Sequence, residues 1–386
     1  MKKVVIAMDS FKGCLSSSEA GAAVAAGVRA ACPNSEVVVQ SVADGGEGMQ
    51  DVLIAATGGR RIILQAHSPL MEMRDAYYGI SGDGRTAFVE MASISGLPLV
   101  PEHRRNPMLT TTFGSGELIR DALERGCRDF VIGIGGSATN DAGLGMLQAL
   151  GFRFTDREGR TLGEDTALCG GMLAQVCGID SSAVHPALSE SRFRVVCDVR
   201  NPFCGPDGAA FVFGPQKGAD EAMVAELDAG MQHLAQVIQE HTGRDIVSVV
   251  GAGAAGGMGG GLLAFLDAEL EPGIALLLDV LHFSDLIADA DLVLTGEGKA
   301  DRQTLMGKVP SGILAAAAAR QIPVVLLAGS VEDAEMLTAA GFLGVFPITP
   351  APVGLQEAME PTYAQVNLRR TAMQVCRLLS HGSARQ

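Results

Sequence analysis

Short apolar runs alternate with Ala-rich stretches at both ends of the chain. The first run, Val4-Val5-Ile6-Ala7-Met8, is followed by a polar loop ending in Ser16-Ser17-Ser18-Glu19, an Ala-rich stretch to about Ala31, Pro33, and a second run over residues 36–42. Runs of that length bounded by turn residues predict strands, and the Ala-rich stretch between them predicts a helix. Ser16 with Glu19 predicts a capping box at its start, and Pro33 its stop. A further loop, Ala43–Gly48, leads into a helix ending at Gly58-Gly59. The alternation returns from about residue 285: strand Asp291–Leu294, helix Ser311–Arg320, strand Pro323–Ala328, helix Val331–Ala340, strand Leu343–Pro347 and a closing helix from about Tyr363. The middle is less regular, with strands expected at Tyr77–Ile80, Thr86–Met91 and Arg192–Cys197, and helices at Gly114–Glu124, Gly143–Ala149 and Asp220–Glu240. Alternating strands and helices predict an α/β fold of two domains. One is a doubly wound parallel-sheet domain formed by both chain ends, residues 1–63 and 285–386; the other is a mixed α/β domain, residues 64–284, inserted between them.

Composition fits this division and narrows the ligands. A chain of 386 residues is long enough for two cores. The 49 glycines exceed what a helical bundle needs, so they serve turns and close backbone approaches. A net charge of −15 excludes nucleic acid and anionic membranes as partners, because both demand a basic surface. Any anionic substrate must therefore meet a local basic site. The eight cysteines have no CxxC spacing and the seven histidines no HExxH spacing, which suits a cytoplasmic protein with reduced thiols. Residues Val247 to Leu266 carry no charge, but seven glycines between positions 251 and 261 predict a buried loop plus helix rather than a membrane span.

The unusual residues follow the apolar runs. Asp9-Ser10-Phe11-Lys12 follows residues 4–8, Ala43–Gly48 follows 36–42, Gly135–Asp141 follows 129–134, Asp198-Val199-Arg200-Asn201 follows 194–197, and Thr295-Gly296-Glu297-Gly298 follows 291–294. Open α/β sheets bind ligands at the carboxyl ends of their strands, where all five loops are expected. In the third loop Gly135-Gly136 lets the backbone curl, and Ser137, Thr139 and Asn140 add side-chain donors. Such a nest before a helix holds an anion with backbone dipoles. Asp141 then either holds a metal or caps the helix. The missing positive charge is expected from Lys12, from Lys217 in the turn Gly214–Gly218, and from Lys308 in Gly307–Ser311. Gly251-Ala-Gly253-Ala-Ala-Gly256 matches the dinucleotide fingerprint, following Asp245–Val250 with Asp279 about twenty residues on. Four more glycines run on to Gly261 where its helix should start, so tight helix–backbone packing or a glycine-rich nucleotide loop stands beside that reading. No GxSxG elbow is present. Acids, glycines and lysines suit phosphoryl transfer, where positioning and neutralisation by Mg²⁺ and cations do most of the catalysis.

Six of these stretches, in order, are VVIAMDSFKG at 4–13, VADGGEG at 42–48, IGIGGSATND at 132–141, FGPQKGA at 213–219, GAGAAGGMG at 251–259 and LTGEG with the following D, QT, GK and P at 294–310. Together they resemble the bacterial glycerate kinase type 1 family over nearly the whole chain. The resemblance implies ATP-dependent phosphorylation of D-glycerate in glyoxylate and sugar-acid degradation, giving the 2-phosphate as a glycerate 2-kinase does, or the 3-phosphate. It also implies two α/β domains, one built from both chain ends. Met8, Cys14 and Phe113 depart from the family's usual residues. In a site expected in the cleft between the domains, Ser10 and Lys12 with Asp44 would engage glycerate. Gly135, Gly136, Ser137, Thr139 and Asn140, with Gly296, Glu297 and Gly298, would cradle the phosphates of ATP. Lys217 and Lys308 would neutralise them, and Asp141, Asp198 or Asp301 would hold Mg²⁺. The base is expected to be Asp198 or Asp44. Two alternatives stand beside this: a nicotinamide-dependent hydroxy-acid oxidoreductase using residues 251–256 and Asp279, and a sugar-acid sensor that does not consume ATP. Oligomerisation is left open.

Overall fold

A computed structural model describes residues 1–42 and 48–383. The chain divides into two compact units, Met1–Asp44 with Ile274–Gln386, and Gly45–Gly273. Strands are numbered β1 to β13 along the chain.

The first unit carries a five-stranded sheet in the order β13-β12-β11-β1-β2. These are β1 (Lys3–Met8), β2 (Glu36–Val39), β11 (Leu292–Ala300), β12 (Val324–Val331) and β13 (Gly344–Pro347), all parallel to their neighbours. Val4, Ile6 and Met8 join one core cluster with Val24 and Val28 of the helix Ser17–Ala31 and Leu368 and Ala372 of the helix Pro361–Ser383. Alternate residues Val5 and Ala7 are also buried, so both faces of β1 are covered. A strand buried on both faces reads as a continuous apolar run, which explains the unbroken Val4–Met8 stretch. The expected capping box is present: Ser16 Oγ accepts from the Glu19 amide at 3.3 Å, and Glu19 Oε2 accepts from the Ser16 amide at 2.9 Å. The helix Val309–Ala318 packs on β11 and β12.

The second unit carries a mixed sheet in the order β10-β9-β6-β5-β4-β3. Its parallel part comprises β5 (Thr86–Glu90), β6 (Asp129–Gly133), β9 (Arg192–Val196) and β10 (Glu269–Glu271). An antiparallel edge is made by β3 (Arg60–His67) and β4 (Met73–Ile80). A separate antiparallel pair joins β7 (Arg153–Thr155) to β8 (Gly178–Asp180). The core of this unit draws on the sheet and on the helices Phe113–Glu124, Leu144–Ala149, Glu221–Thr242 and Met258–Phe265.

Three expectations change. The strand expected over residues 36–42 ends at Val39. Residues 295–298, expected as a loop, lie inside β11, where Gly296 pairs with Leu327 and Glu297 with Ala328. Residues 45–63 group with the second unit, because β3 pairs with β4 along its whole length and the helix Met49–Ala56 packs on β4 and β5. The junctions therefore fall at 44/45 and 273/274 rather than at 63/64 and 284/285.

Candidate active site

From β1 the chain steps across the first sheet to β2, and from β11 it steps the other way to β12 and β13. The order reverses between β1 and β11, and open α/β sheets form their ligand crevice at such a point, outside the carboxyl ends of the strands. Asp9 sits there, its amide donating to the Gly296 carbonyl at 2.8 Å and its Oδ1 accepting from the Ser10 amide at 2.7 Å. Since Met8 pairs with Gly296, the next residues along the two strands are Asp9 and Glu297. Both carboxylates are only 5% exposed. Sequence reasoning noted Asp9 among the acids but gave it no role.

Both acids line one cavity of about 720 Å³ built wholly from the first unit. Its lining includes the charged and polar residues Asp9, Ser10, Lys12, Glu297 and Lys308 together with the apolar Val331, Ile348, Val353, Ala358 and Met359. Glu297 Oε1 accepts a 2.6 Å hydrogen bond from Thr304 Oγ1, and Lys308 Nζ lies 3.5 Å from Oε2. Burial pushes the Glu297 carboxyl above the ordinary range, against the Thr304 bond and the Lys308 charge. Lys308 stands at the N-cap of Val309–Ala318 and makes no side-chain cap bond; Pro310 opens that helix. Lys308 thus brings a positive charge to the cavity beside Glu297. Asp301 has a local task, accepting from the Gln303 amide at 2.8 Å in the capping box of Arg302–Leu305. The same carboxylate lies 3.6 Å from Lys299 Nζ.

In the second unit the loop after β6 behaves differently from expectation. Gly135 and Gly136 are exposed, but Ser137, Thr139, Asn140 and Asp141 are all buried. Ser137 Oγ accepts a 2.7 Å bond from Lys217 Nζ, and the Thr139 carbonyl accepts another at 2.6 Å. Lys217, expected to neutralise phosphates, is 2% exposed and ties this loop. Burial pushes its ammonium down to about 7. Asp141, expected as metal ligand or cap, is the cap. Its Oδ2 accepts from the Thr112 amide and hydroxyl and the Gly145 amide, and its Oδ1 from the Gly143 amide. With four donors from the protein and no exposed surface, it has no room for a metal ion. Thr139 Oγ1 and Asn140 Oδ1 are buried without a hydrogen-bonding partner.

The glycine run is packing. No strand precedes it, since residues 244–250 form none, and Asp279 lies in the helix Gly273–Val280 rather than after a strand. Gly256 has φ +66°, and a Cβ there would sit 2.1 Å from the Thr139 carbonyl oxygen. A Cβ on Gly261 would meet the Ala142 carbonyl oxygen at 2.4 Å. The helix Met258–Phe265 thus seats directly against the Thr139–Ala142 backbone, and the dinucleotide reading of residues 251–256 is set aside. Asp198 Oδ1 accepts from the Gly273 amide at 2.9 Å. Asp44 lies outside the described residues. Among the described residues, no three His, Cys, Asp or Glu side chains group as a metal site, and no helix is long and apolar enough to cross a membrane.

Comparison with known proteins decides the family. The model of the glycerate kinase family matches residues 4–380. The chain belongs to the glycerate kinase family. It is 45% identical to the glycerate 2-kinase of Escherichia coli K12 over 381 residues, covering 98% of both chains. It is 45% identical to the glycerate kinase of Bacillus subtilis 168, over 97% of this chain and 96% of the relative. A crystal structure assigned to glycerate kinase 2 of Salmonella typhimurium LT2 matches with a TM-score of 0.89 at 43% identity, covering 99% of each chain. The α/β fold is that of a glycerate kinase, and the protein is a kinase of this family.

Proposed function

We propose that the protein transfers the γ-phosphoryl group of ATP to the 2-hydroxyl of D-glycerate in the cytoplasm, giving 2-phosphoglycerate and ADP. The observation that carries the site assignment is the pair of buried carboxylates, Asp9 and Glu297, flanked by Lys12 and Lys308 at the reversal of strand order. Ser10 and Lys12 hold the glycerate carboxylate, whose charge the acidic surface would otherwise repel. Asp9 is the base: it takes the proton of the attacking hydroxyl as that oxygen bonds to the γ-phosphorus and the bond to the β-phosphate oxygen breaks. Lys308 and the first turn of Val309–Ala318 neutralise the phosphates. Glu297 is a hard oxygen donor of the kind Mg²⁺ takes when phosphate oxygens and water complete its shell. Mg²⁺ bound there supplies charge neutralisation to the transferring group. In the second unit, Ser137, Thr139, Asn140 and Lys217 hold the shape of the loop that carries the exposed Gly135 and Gly136.

A coupled ADP-release assay with D-glycerate and MgATP, followed by phosphorus NMR of the product, tests this. One ADP released per glycerate, with phosphate on carbon 2, is the expected result. No ADP release, or phosphate on carbon 3, would overturn the activity or its regiochemistry respectively.

A further inference from the structure

The edges of the two large sheets are unequal. β2 and β13 have four residues each and β10 three, and short edge strands offer little to pair with. β3 has eight residues and stands at the end of its sheet beside β4. Its free side can be read from the ladder, because an antiparallel strand turns alternate residues toward each neighbour. The Ser68 amide donates to the Glu72 carbonyl at 2.8 Å, so Ala66, Leu64 and Ile62 continue the ladder to β4, and Arg61, Ile63, Gln65 and His67 turn their amides outward. The His67 amide shows this parity directly, donating to Glu117 Oε2 at 2.8 Å. Among the described residues, the outward amides of Arg61, Ile63 and Gln65 have no partner. A long edge is commonly guarded by charged side chains, but here the polar side chains are drawn back over the sheet face. Arg61 bonds Asp51 at 2.8 Å and lies 4.9 Å from the centroid of the Tyr77 ring, and Gln65 bonds Asp75. Between them Ile63 is 71% exposed.

We propose that β3 is the docking edge for β3 of a second copy of this chain, antiparallel to it about a twofold axis at Ile63. Free groups recur at every second residue, so a twofold pairing must match these residues with one another. Centred on Ile63, the pairing sets Ile63 against Ile63 of the partner subunit, and Arg61 against the partner's Gln65. All three free amides of each copy then find carbonyls, and the ladder stops where Glu117 already holds the His67 amide. Charge favours the same register. Arg61 stands one strand from the partner's Asp75, whereas a pairing centred on Arg61 would set two guanidinium groups directly opposite each other. Arg60 falls across from the partner's Ala66, with the partner's Arg74 one strand beyond, at the end of the ladder where both arginines are exposed. On the other face, the half-buried Ile62 and Leu64 fall across from the partner's Leu64 and Ile62 and extend the apolar layer they already join. The contact is self-complementary and closes as a dimer. It is also short, so the dimer dissociates on dilution.

Sedimentation velocity of the full chain over a concentration series tests this, with circular dichroism to check folding. Wild type should pass from monomer to dimer as concentration rises. Ile63→Pro removes an amide that makes no bond within the chain, at a position where a strand tolerates proline. Ile63→Lys sets two ammonium groups against each other on the axis. Each folded variant should raise the dimer dissociation constant at least about tenfold. Wild type that stays monomeric throughout, or a dimer that both folded variants leave intact, overturns the proposal. Should neither variant fold, hydrogen exchange of wild type decides: the amides of Arg61, Ile63 and Gln65 must slow as concentration rises, and exchange independent of concentration overturns it equally.

Discussion

Replacing Lys217 with Met removes a charge from a fully enclosed place while keeping most of the side chain's volume. Two contributions oppose each other. The ammonium makes bonds of 2.7 Å to Ser137 Oγ and 2.6 Å to the Thr139 carbonyl, and hydrogen bonds from charged groups contribute about 1.5–3 kcal/mol each. Against them, burial moves the group from 10.5 to about 7, which at about 1.4 kcal/mol per unit destabilises the folded state by on the order of 5 kcal/mol when the ammonium is charged. Near neutral pH the two nearly cancel, so the size of the change decides little. The pH dependence decides more. The folded protein gives up this proton near pH 7 and the unfolded chain only near 10.5, so between those values the unfolded state binds the extra proton. Stability of the wild type, relative to the variant, must then rise with pH across that window and be flat below it. Urea unfolding of both proteins near pH 6, 7.5 and 9 reads this directly; from about 7.5 to 9 the difference should grow by about 2 kcal/mol in favour of wild type. Parallel stabilities across that range would refute a buried lysine with a depressed pKa.

Asp141→Asn turns an acceptor of four hydrogen bonds into a group that presents an N–H to one of its donors; a loss of about 2–4 kcal/mol is expected in urea unfolding. Gly256→Ala drives a Cβ against the Thr139 carbonyl at a left-handed backbone position, and thermal unfolding should drop by several degrees, with at least about 2 kcal/mol lost. Thr304→Val removes the 2.6 Å bond that favours ionised Glu297. With burial left less opposed, the carboxyl rises further, so the acid limb of the pH–rate profile should move to higher pH; a limb that stays put or moves down would show that Glu297 does not titrate in catalysis.

The parallel strands of the first unit are legible in the sequence because burial on both faces leaves no polar interruption: Val4–Met8 and Pro323–Ala328 read as continuous apolar runs. The antiparallel edge is not. In β3, Arg60, Arg61, Ile63 and Gln65 are exposed or partly so, and the run begins just after Gly58-Gly59, so Arg60–His67 looks like a polar connection. The length of β11 was hidden for another reason. Gly296 and Gly298 look like turn residues, yet Gly296 is in a strand where a Cβ would stand 2.1 Å from the Leu327 carbonyl oxygen. A glycine demanded by close approach and one demanded by a turn are the same letter.

The same ambiguity governs the lysines. Lys217 and Lys308 both stand beside glycine and proline before a helix, and nothing local separates them. Packing does: Lys217 is buried with its ammonium bonded to Ser137 and Thr139, whereas Lys308 keeps its side chain at a cavity wall. This splits the GIGGSATND stretch into two functions. Gly135 and Gly136 are exposed, whereas its serine, threonine, asparagine and aspartate are buried and fix the curve of the backbone. Side-chain substitutions at 137–141 should therefore act through loop geometry, lowering stability and turnover together, rather than through lost ligand contacts. Ser137→Val is the sharpest case, because it deprives a buried ammonium of an acceptor; its effect on unfolding should shrink at alkaline pH, where Lys217 is neutral, while a direct phosphate-binding serine would leave unfolding unaffected at any pH.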